Sequence, residues 1–293
     1  MAKVKIPVIV AIAVIITAIV VFGAAYYIFV LTKPPAKPQL RIGTSADYPP
    51  FEFIKEVNGR YAFAGFDVDL MNWICERIGY EPVWYDMPFE SLIPALQAGK
   101  IDVIIAAMTI TAEREKIVDF SIPYYNADQG ILTLYERRAE FKSVDDINKT
   151  TVIVGVQTGT TGEAWAKEYL IADIKGYERV YDMLQALKAK HLDVVIIDSP
   201  VAHYYNNTDP ELWLAFTVET GERYGIAVAE GNTELLNKIN NALREAFESG
   251  YYNQLVGKWF GGTELPDPLV TNNAVGIIFP ILMVPLIIVK RKE

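Results

Sequence analysis

Two stretches in the interior of the chain, "IDVIIAA" (101–107) and "LDVVIID" (192–198), are apolar almost throughout. A strand without polar alternation must be covered on both faces, which an exposed antiparallel sheet cannot provide. Each stretch follows a segment with apolar residues at helical spacing, "FESLIPALQAG" and "GYERVYDMLQALKAK". Strands alternating with amphipathic helices define an α/β fold with a mostly parallel sheet. The pattern runs twice. "QLRIGTS", "EPVWYD", "IDVIIAA" and "QGILTLYER" read as strands of a first unit, with helices at "FDVDLMNWICERIGY" and "FESLIPALQAG". "TTVIVGVQ", "HLDVVIID" and "ERYGIAVAE" read as strands of a second stretch. Its helices fall at "TTGEAWAKEYL", "GYERVYDMLQALKAK", "SPVAHYYN", "NTELLNKINNALREAFESG" and "YYNQLVGKWFG".

The ends of the chain differ from its middle. Residues 6–31 contain no charge and follow the basic "MAKVK". As a helix this run spans ~39 Å, more than the ~30 Å hydrocarbon core. The positive-inside rule then puts the N-terminus in the cytoplasm and everything after it outside. A signal peptide cleaved near "GAA" (23–25) is the rival reading, although the apolar run continues past that point as "YYIFVL". "TKPPAKPQ" (32–39) reads as an extended proline-rich spacer. A second apolar run, 274–289, precedes "KRKE" and reads as a membrane helix or a sorting signal.

Composition excludes several functions. The net charge is −9 although both ends are basic, so the middle is strongly acidic and unsuited to nucleic acid. The single cysteine, Cys75, sits where it would face a core, and no disulfide can form within the chain. There is no phosphate-binding GxxxxGK[ST] loop, no GxGxxG and no HExxH. The two histidines, His191 and His203, assemble no nucleophile–base pair. No cofactor and no metal is implied.

Loops after strands are where an open parallel sheet does its chemistry, and here they carry a particular set of groups. In "AAMTITAEREKIVDF" (106–120), Thr111 reads as a helix N-cap, which puts Arg114 in the first turn. A cation there loses roughly 0.3–1 kcal/mol against the helix dipole. It is either a tolerated surface charge or a fork of donors aimed at an anion. In "VQTGTTGE" (156–163), Thr160 and Glu163 form a capping box at a helix start whose free N–H groups suit an anion. Asp198 ends a strand before "SP", where it either caps the next helix or accepts from an ammonium. "SADYPPFEF" places Tyr48, Phe51 and Phe53 at the end of the first strand, as core or as a pocket wall. Together these are the needs of an α-amino acid, whose carboxylate and ammonium must both be paired when buried.

With those residues in view, the chain resembles the extracellular solute-binding proteins for polar amino acids that serve ABC importers. "RIGTSADYPPFEF", "AGFDVDLMNWI", "FESLIPALQAGKIDVIIAAMTITAEREKIVDFSIPYY", "VGVQTGTTGE", "LDVVIIDSPVA", "YGIAVAEGN" and "NQLVGKWFG" carry the likeness over nearly all of 38–265. The resemblance implies a two-lobed periplasmic-binding-protein fold of the Venus-flytrap kind, with lobe 1 at 38–133 plus 225–265 and lobe 2 at 137–221. It implies that Arg114 and Thr161 bind the ligand carboxylate, helped by the N–H and hydroxyl of Thr109. Asp198 and the Ala107 carbonyl would hold the ammonium, and Tyr48 and Phe89 would sandwich the side chain. Gln157 would probe the tip of that side chain. Ser45, where relatives taking cationic ligands often have an acid, points to a neutral polar ligand such as glutamine; a basic one would need Asp47, Glu52 or Asp67. The implied partners are a free L-amino acid, the permease subunits of an ABC importer and membrane lipid around residues 1–31. No catalysis is implied. The alternatives are a dehydratase on the same fold and an amino-acid sensor without transport.

Overall fold

The computed structural model describes residues 6–32 and 36–261. The apolar run 274–289 and part of the proline-rich spacer lie outside the described residues. Two compact units divide at the Pro38–Gln39 junction. The first holds helix α1 (Ile6–Thr32), which bears no charged residue in its first or last turn. Val10, Phe22 and Tyr26 are among its apolar side chains that are more than half exposed. Among the described residues no helix is long and apolar enough to cross a membrane.

The second unit begins with β1 (Gln39–Thr44), β2 (Asp47–Tyr48), β3 (Glu52–Val57) and β4 (Arg60–Ala64), followed by α2 (Phe66–Ile78), β5 (Glu81–Asp86) and α3 (Leu92–Gln97). Next come β6 (Val103–Ile104), β7 (Val118–Phe120), β8 (Tyr125–Leu134), α4 (Val144–Ile147), β9 (Ile153–Gln157), α5 (Thr161–Tyr169), β10 (Asp173–Tyr177) and α6 (Val180–Lys188). It finishes with β11 (Val194–Asp198), α7 (Ser199–Thr208), β12 (Leu212–Tyr224), β13 (Ala227–Ala229), α8 (Thr233–Glu248) and α9 (Tyr251–Phe260).

Two five-stranded sheets result, one per lobe, in the orders β5-β1-β6-β13-β7 and β10-β9-β11-β8-β12. β1 runs parallel to β5 and β6, and β9 parallel to β10 and β11, as the unbroken apolar runs require. Val103, Ile104 and the whole of β11 are buried.

The chain leaves the first sheet at Phe120, enters the second at Tyr125 and returns between Tyr224 and Ala227. The sequence-based boundary at 133 therefore falls inside β8, which pairs antiparallel with β11 and β12 along its length. "ERYGIAVAE" is likewise not one strand: its first part ends β12 and its second is β13, in different sheets. A single apolar run gives no sign of where its partners change, so this division is invisible to periodicity. "GYERVYDMLQALKAK" also divides, β10 claiming its first two residues before α6 begins. The small sheet β2-β3-β4 has mostly exposed faces, and its weak apolar alternation gave no warning of it.

An aromatic knot sits where the crossing strands meet lobe 1. Phe51 lies edge-on to Tyr125 and Tyr224, with ring centroids 4.8 and 5.3 Å away. Phe51 is thus core and Phe53 packs on Trp259, so only Tyr48 of the three early aromatics lines the cleft. Gly65 makes the junction between this knot and α2. Its φ is +134°, and the Pro50 and Phe51 carbonyls cap the helix by accepting from Phe66 and Asp67 N–H. A Cβ at Gly65 would stand 1.9 Å from the Phe51 oxygen. Gly65→Ala is expected to destabilise the segment 38–265 by about 3 kcal/mol or more, through backbone strain and this clash. Urea denaturation checks it, and an unchanged midpoint would contradict it.

Candidate functional site

All eight residues singled out from the sequence line one cavity between the two sheets, at the carboxyl ends of β1, β6, β9 and β11: Tyr48, Phe89, Ala107, Thr109, Arg114, Gln157, Thr161 and Asp198. Ser45, Glu52, Ala106 and Thr160 complete its wall. The room left inside it is about 10 Å³, enough for about one water molecule.

The Arg114 segment differs from the expected helix. Arg114–Lys116 is a single 3-10 turn whose N-cap position is held by Glu113 and not by Thr111, although the Thr111 hydroxyl accepts the Arg114 N–H at 3.2 Å. The guanidinium donates to the Thr109 carbonyl at 2.6 Å and, across the cleft, to the Gly159 carbonyl at 3.0 Å. It lies 5.2 Å from the centre of the Phe89 ring. Burial holds its pKa below the usual arginine value, opposed by the charges of Glu222 and Asp198. Arg114 is therefore not a solvated surface charge.

Asp198 is the N-cap residue of α7 but makes no side-chain capping bond. Its carboxylate turns to the cleft, where it accepts from Gln129 Nε2 at 2.7 Å and from the Tyr224 hydroxyl. Its N–H donates to the Tyr48 hydroxyl at 3.2 Å. Burial first, then the charge of Glu222, pushes its pKa up to about 7 against the hydrogen bonds of Tyr224, Tyr48 and Gln129. α5 starts as expected, with Glu163 N–H donating to the Thr160 hydroxyl, but the Glu163 carboxylate reaches back to the Gly159 N–H rather than to that of Thr160.

Ala107 has φ +44°, unusual for a residue with a Cβ. Its N–H donates to Asp67 Oδ2 at 2.8 Å, and Tyr124 donates to the same oxygen at 2.7 Å. Asp67, fully buried in the first turn of α2, thus fixes the strained loop after β6. Burial lifts its pKa to about 6. Glu52 lies beside it, fully buried, with its pKa driven well up by burial and then by the Asp67 charge. Both Glu52 oxygens and Asp67 Oδ1 lack a donor among the described residues. Two adjacent buried carboxyls in that condition share a proton.

Glu222 and Gln129 were missed by the sequence reading. Neither sits in a loop after a parallel strand; both project from the long pair β8–β12, where a lone polar residue reads as an ordinary exposed position. In the structure Gln129 is fully buried and Glu222 nearly so. Thr109 and Thr161 donate their hydroxyls to the same Glu222 oxygen, at 2.6 and 2.7 Å. These hydroxyls are thereby turned to Glu222, in place of the ligand that the resemblance assigned to the Thr109 hydroxyl. Gln157 Nε2 meets the Glu178 carbonyl at 3.3 Å. At the rim, Arg179 grips Asp86 with two bonds of 2.9 and 3.1 Å, and Asp47 accepts the Val180 N–H at 2.6 Å. Both link the lobes.

His191 and His203 are exposed and stand apart from the cavity lining. Cys75 is buried, and burial pushes its thiol up to about 12. Among the described residues no cluster of His, Cys, Asp and Glu could hold a metal ion.

Two sheet-centred lobes, joined by paired crossing strands, enclose a cleft that presents a half-buried guanidinium and a buried carboxyl. The chain belongs to the bacterial extracellular solute-binding proteins, family 3, matching over residues 40–262. The arginine-binding extracellular protein ArtP of Bacillus subtilis is 36% identical over 233 residues, which cover 77% of this chain and 88% of that one. An ancestral arginine-binding protein, solved with arginine, is 42% identical with a TM-score of 0.70, covering 77% of this chain and 99% of its own. It has also been solved with glutamine. The ancestral amino-acid-binding protein AncCDT-1, a precursor of cyclohexadienyl dehydratase, is 41% identical with a TM-score of 0.71, covering 76% and 95%. The family places the binding unit outside the cytoplasm.

With Asp198 at about 7 and Asp67 at about 6, a carboxyl-detected NMR titration of the segment 38–265 is expected to find two aspartates with midpoints well above the ordinary range. Titration of every aspartate near its ordinary value of about 4 would contradict the assignment.

Proposed function

We propose that this protein captures a free L-amino acid by closing its lobes over it, and delivers it to the permease subunits of an ABC importer. The observation that carries the reading is the pair Arg114 and Asp198: opposite charges from opposite lobes, Asp198 buried and Arg114 half-buried, converging on one cavity. Arg114 and the N–H groups of Thr161 and Thr109 take the α-carboxylate. Asp198 and the Ala107 carbonyl take the ammonium, and Tyr48 and Phe89 flank the side chain. Closure excludes water and strengthens each charged contact. ArtP and the ancestral neighbour are named for binding arginine, which supports this use of the site.

The side chain is polar, and two chemistries compete. Glu52 supports a cationic, arginine-like ligand: its buried oxygens face the cavity without a donor among the described residues. Ser45 and Gln157 support the glutamine-like ligand expected from sequence. The names of ArtP and the ancestral neighbour make the cationic ligand the favoured one, with Glu52, held neutral by burial, the carboxyl that would ionise beside it. The dehydratase precursor AncCDT-1 keeps an enzymatic alternative in view.

A thermal-shift screen of the twenty amino acids on the segment 38–265 is expected to pick out a basic amino acid first, with glutamine weaker. At ~100 times Kd the stabilisation is about 2.7 kcal/mol. Amino acids recovered afterwards are expected unchanged; turnover would favour the dehydratase. Arg114→Ala is expected to weaken binding by roughly 3–5 kcal/mol, because a buried carboxylate loses its partner. Binding also depends on pH. Only ionised Asp198 accepts from the ammonium, and its pKa lies at about 7, so affinity rises as pH increases through that value and is lost below it. Calorimetry checks both, and an affinity indifferent to Arg114 or constant across neutral pH would contradict the assignment.

The charge-free run 6–31 supports a second part of the proposal, that residues 1–31 anchor the binding unit in the membrane. The full chain is expected in the membrane fraction, released by detergent and not by salt, and a chain starting at 38 outside it. Release of the full chain by salt alone would contradict anchoring.

A further inference from the structure

Glu222 has no part in the reading above, yet it bonds cavity residues from both lobes. It stands on β12, one of the two strands that cross between lobes, two residues from the isolated bridge between Thr109 and Tyr224. One of its carboxylate oxygens accepts from Thr109, in the loop after β6 of lobe 1, and from Thr161, the first residue of α5 in lobe 2. Its other oxygen accepts from Gln129 Nε2 at 2.7 Å and from the Thr220 hydroxyl at 3.1 Å. The same Gln129 nitrogen holds Asp198. Glu222 is absent from the lining of the cavity, so it stands behind the two threonines.

We propose that Glu222 is the positioning residue of the carboxylate subsite, drawing a threonine from each lobe onto one oxygen and so coupling lobe closure to the placement of the Thr109 and Thr161 N–H groups. The proposal rests on the amino-acid reading of the cleft. Both hydroxyl protons are committed to Glu222, so the threonines serve a ligand carboxylate through their backbone. The shared oxygen is reached by both hydroxyls only while the lobes are together. Through Gln129 the same carboxylate also sits beside Asp198. The charged and titratable groups that face Asp198 are Glu222 and Tyr224 from β12, Tyr48 from β2, Glu52 from β3, and Arg114 from the turn after β6.

The test is calorimetric titration of the full chain in detergent, with the amino acid identified by the screen, in wild type, Glu222→Ala, Glu222→Gln and Thr161→Val. Glu222→Ala takes the acceptor from three threonine hydroxyls and from one of the two bonds of Gln129 Nε2, and is expected to weaken binding by about tenfold or more. Thr161→Val in that background is expected to add little, because both changes remove the same bond. Glu222→Gln keeps an acceptor oxygen for the threonines and removes a charge beside Asp198. It is expected to recover most of the affinity and to move the acid limb of the pH–affinity curve down by about half a unit or more. A role confined to packing would leave that limb in place. Unchanged or tighter binding in Glu222→Ala, or an acid limb unmoved in Glu222→Gln, overturns the role of Glu222. Neither result touches the amino-acid reading, which fails instead if Arg114→Ala binds like wild type.

Discussion

The cleft is organised around charges that the fold buries without neutralising. Arg114 spends its donors on two carbonyls, one from each lobe, and among the described residues no carboxylate pairs with it directly. Asp198 is held by hydroxyl, amide and aromatic groups, none of them a cation. Placing such groups in a low dielectric is unfavourable on its own. Each is kept in place by neutral dipoles, which fix its geometry while leaving its charge available. A zwitterion supplies the two missing counter-charges at once, and this is why binding and closure belong together. A ligand with only one charge would leave the other buried group unpaired.

The scaffold supports this in a simple way. Parallel strands bring β1, β6, β9 and β11 to the cleft by their carboxyl ends, where loops begin and backbone groups are free. The two crossing strands pair antiparallel from Leu212–Leu134 to Tyr224–Tyr125, with the register shifting between Leu214 and Phe216 and again between Val218 and Glu222. Its lobe 1 end is fixed by the Phe51–Tyr125–Tyr224 aromatic knot. Closure contacts at the rim are of a weaker kind. The Arg179–Asp86 pair is partly exposed, and such pairs contribute about 0–1 kcal/mol. The rim can therefore bias the lobes together without locking them, and the deeper bonds to Glu222 respond to how completely they close.

Much of this was legible in the sequence, for identifiable reasons. The unbroken apolar runs required parallel strands, and parallel strands located the functional loops. Arg114, Thr161 and Asp198 could be found because each follows such a strand. Asp198 alone could not be assigned, since Asp before Ser-Pro suits a helix cap equally well; only its missing capping bond separates the two uses. The Arg114 turn was overread as a helix, because a cap residue signals a start without fixing a length. The sheet change inside "ERYGIAVAE" and the buried Glu222–Gln129 contact were not legible. Both depend on which strand lies next to which, and a single chain carries no periodic trace of that.

The central claim is that Arg114 pairs with the α-carboxylate of an amino acid. The most direct measurement compares the affinity of the bound amino acid with that of its decarboxylated analogue, in wild type and in Arg114→Ala. The account predicts that wild type strongly prefers the amino acid and that the preference largely collapses in the variant. An equal preference in both proteins would contradict it.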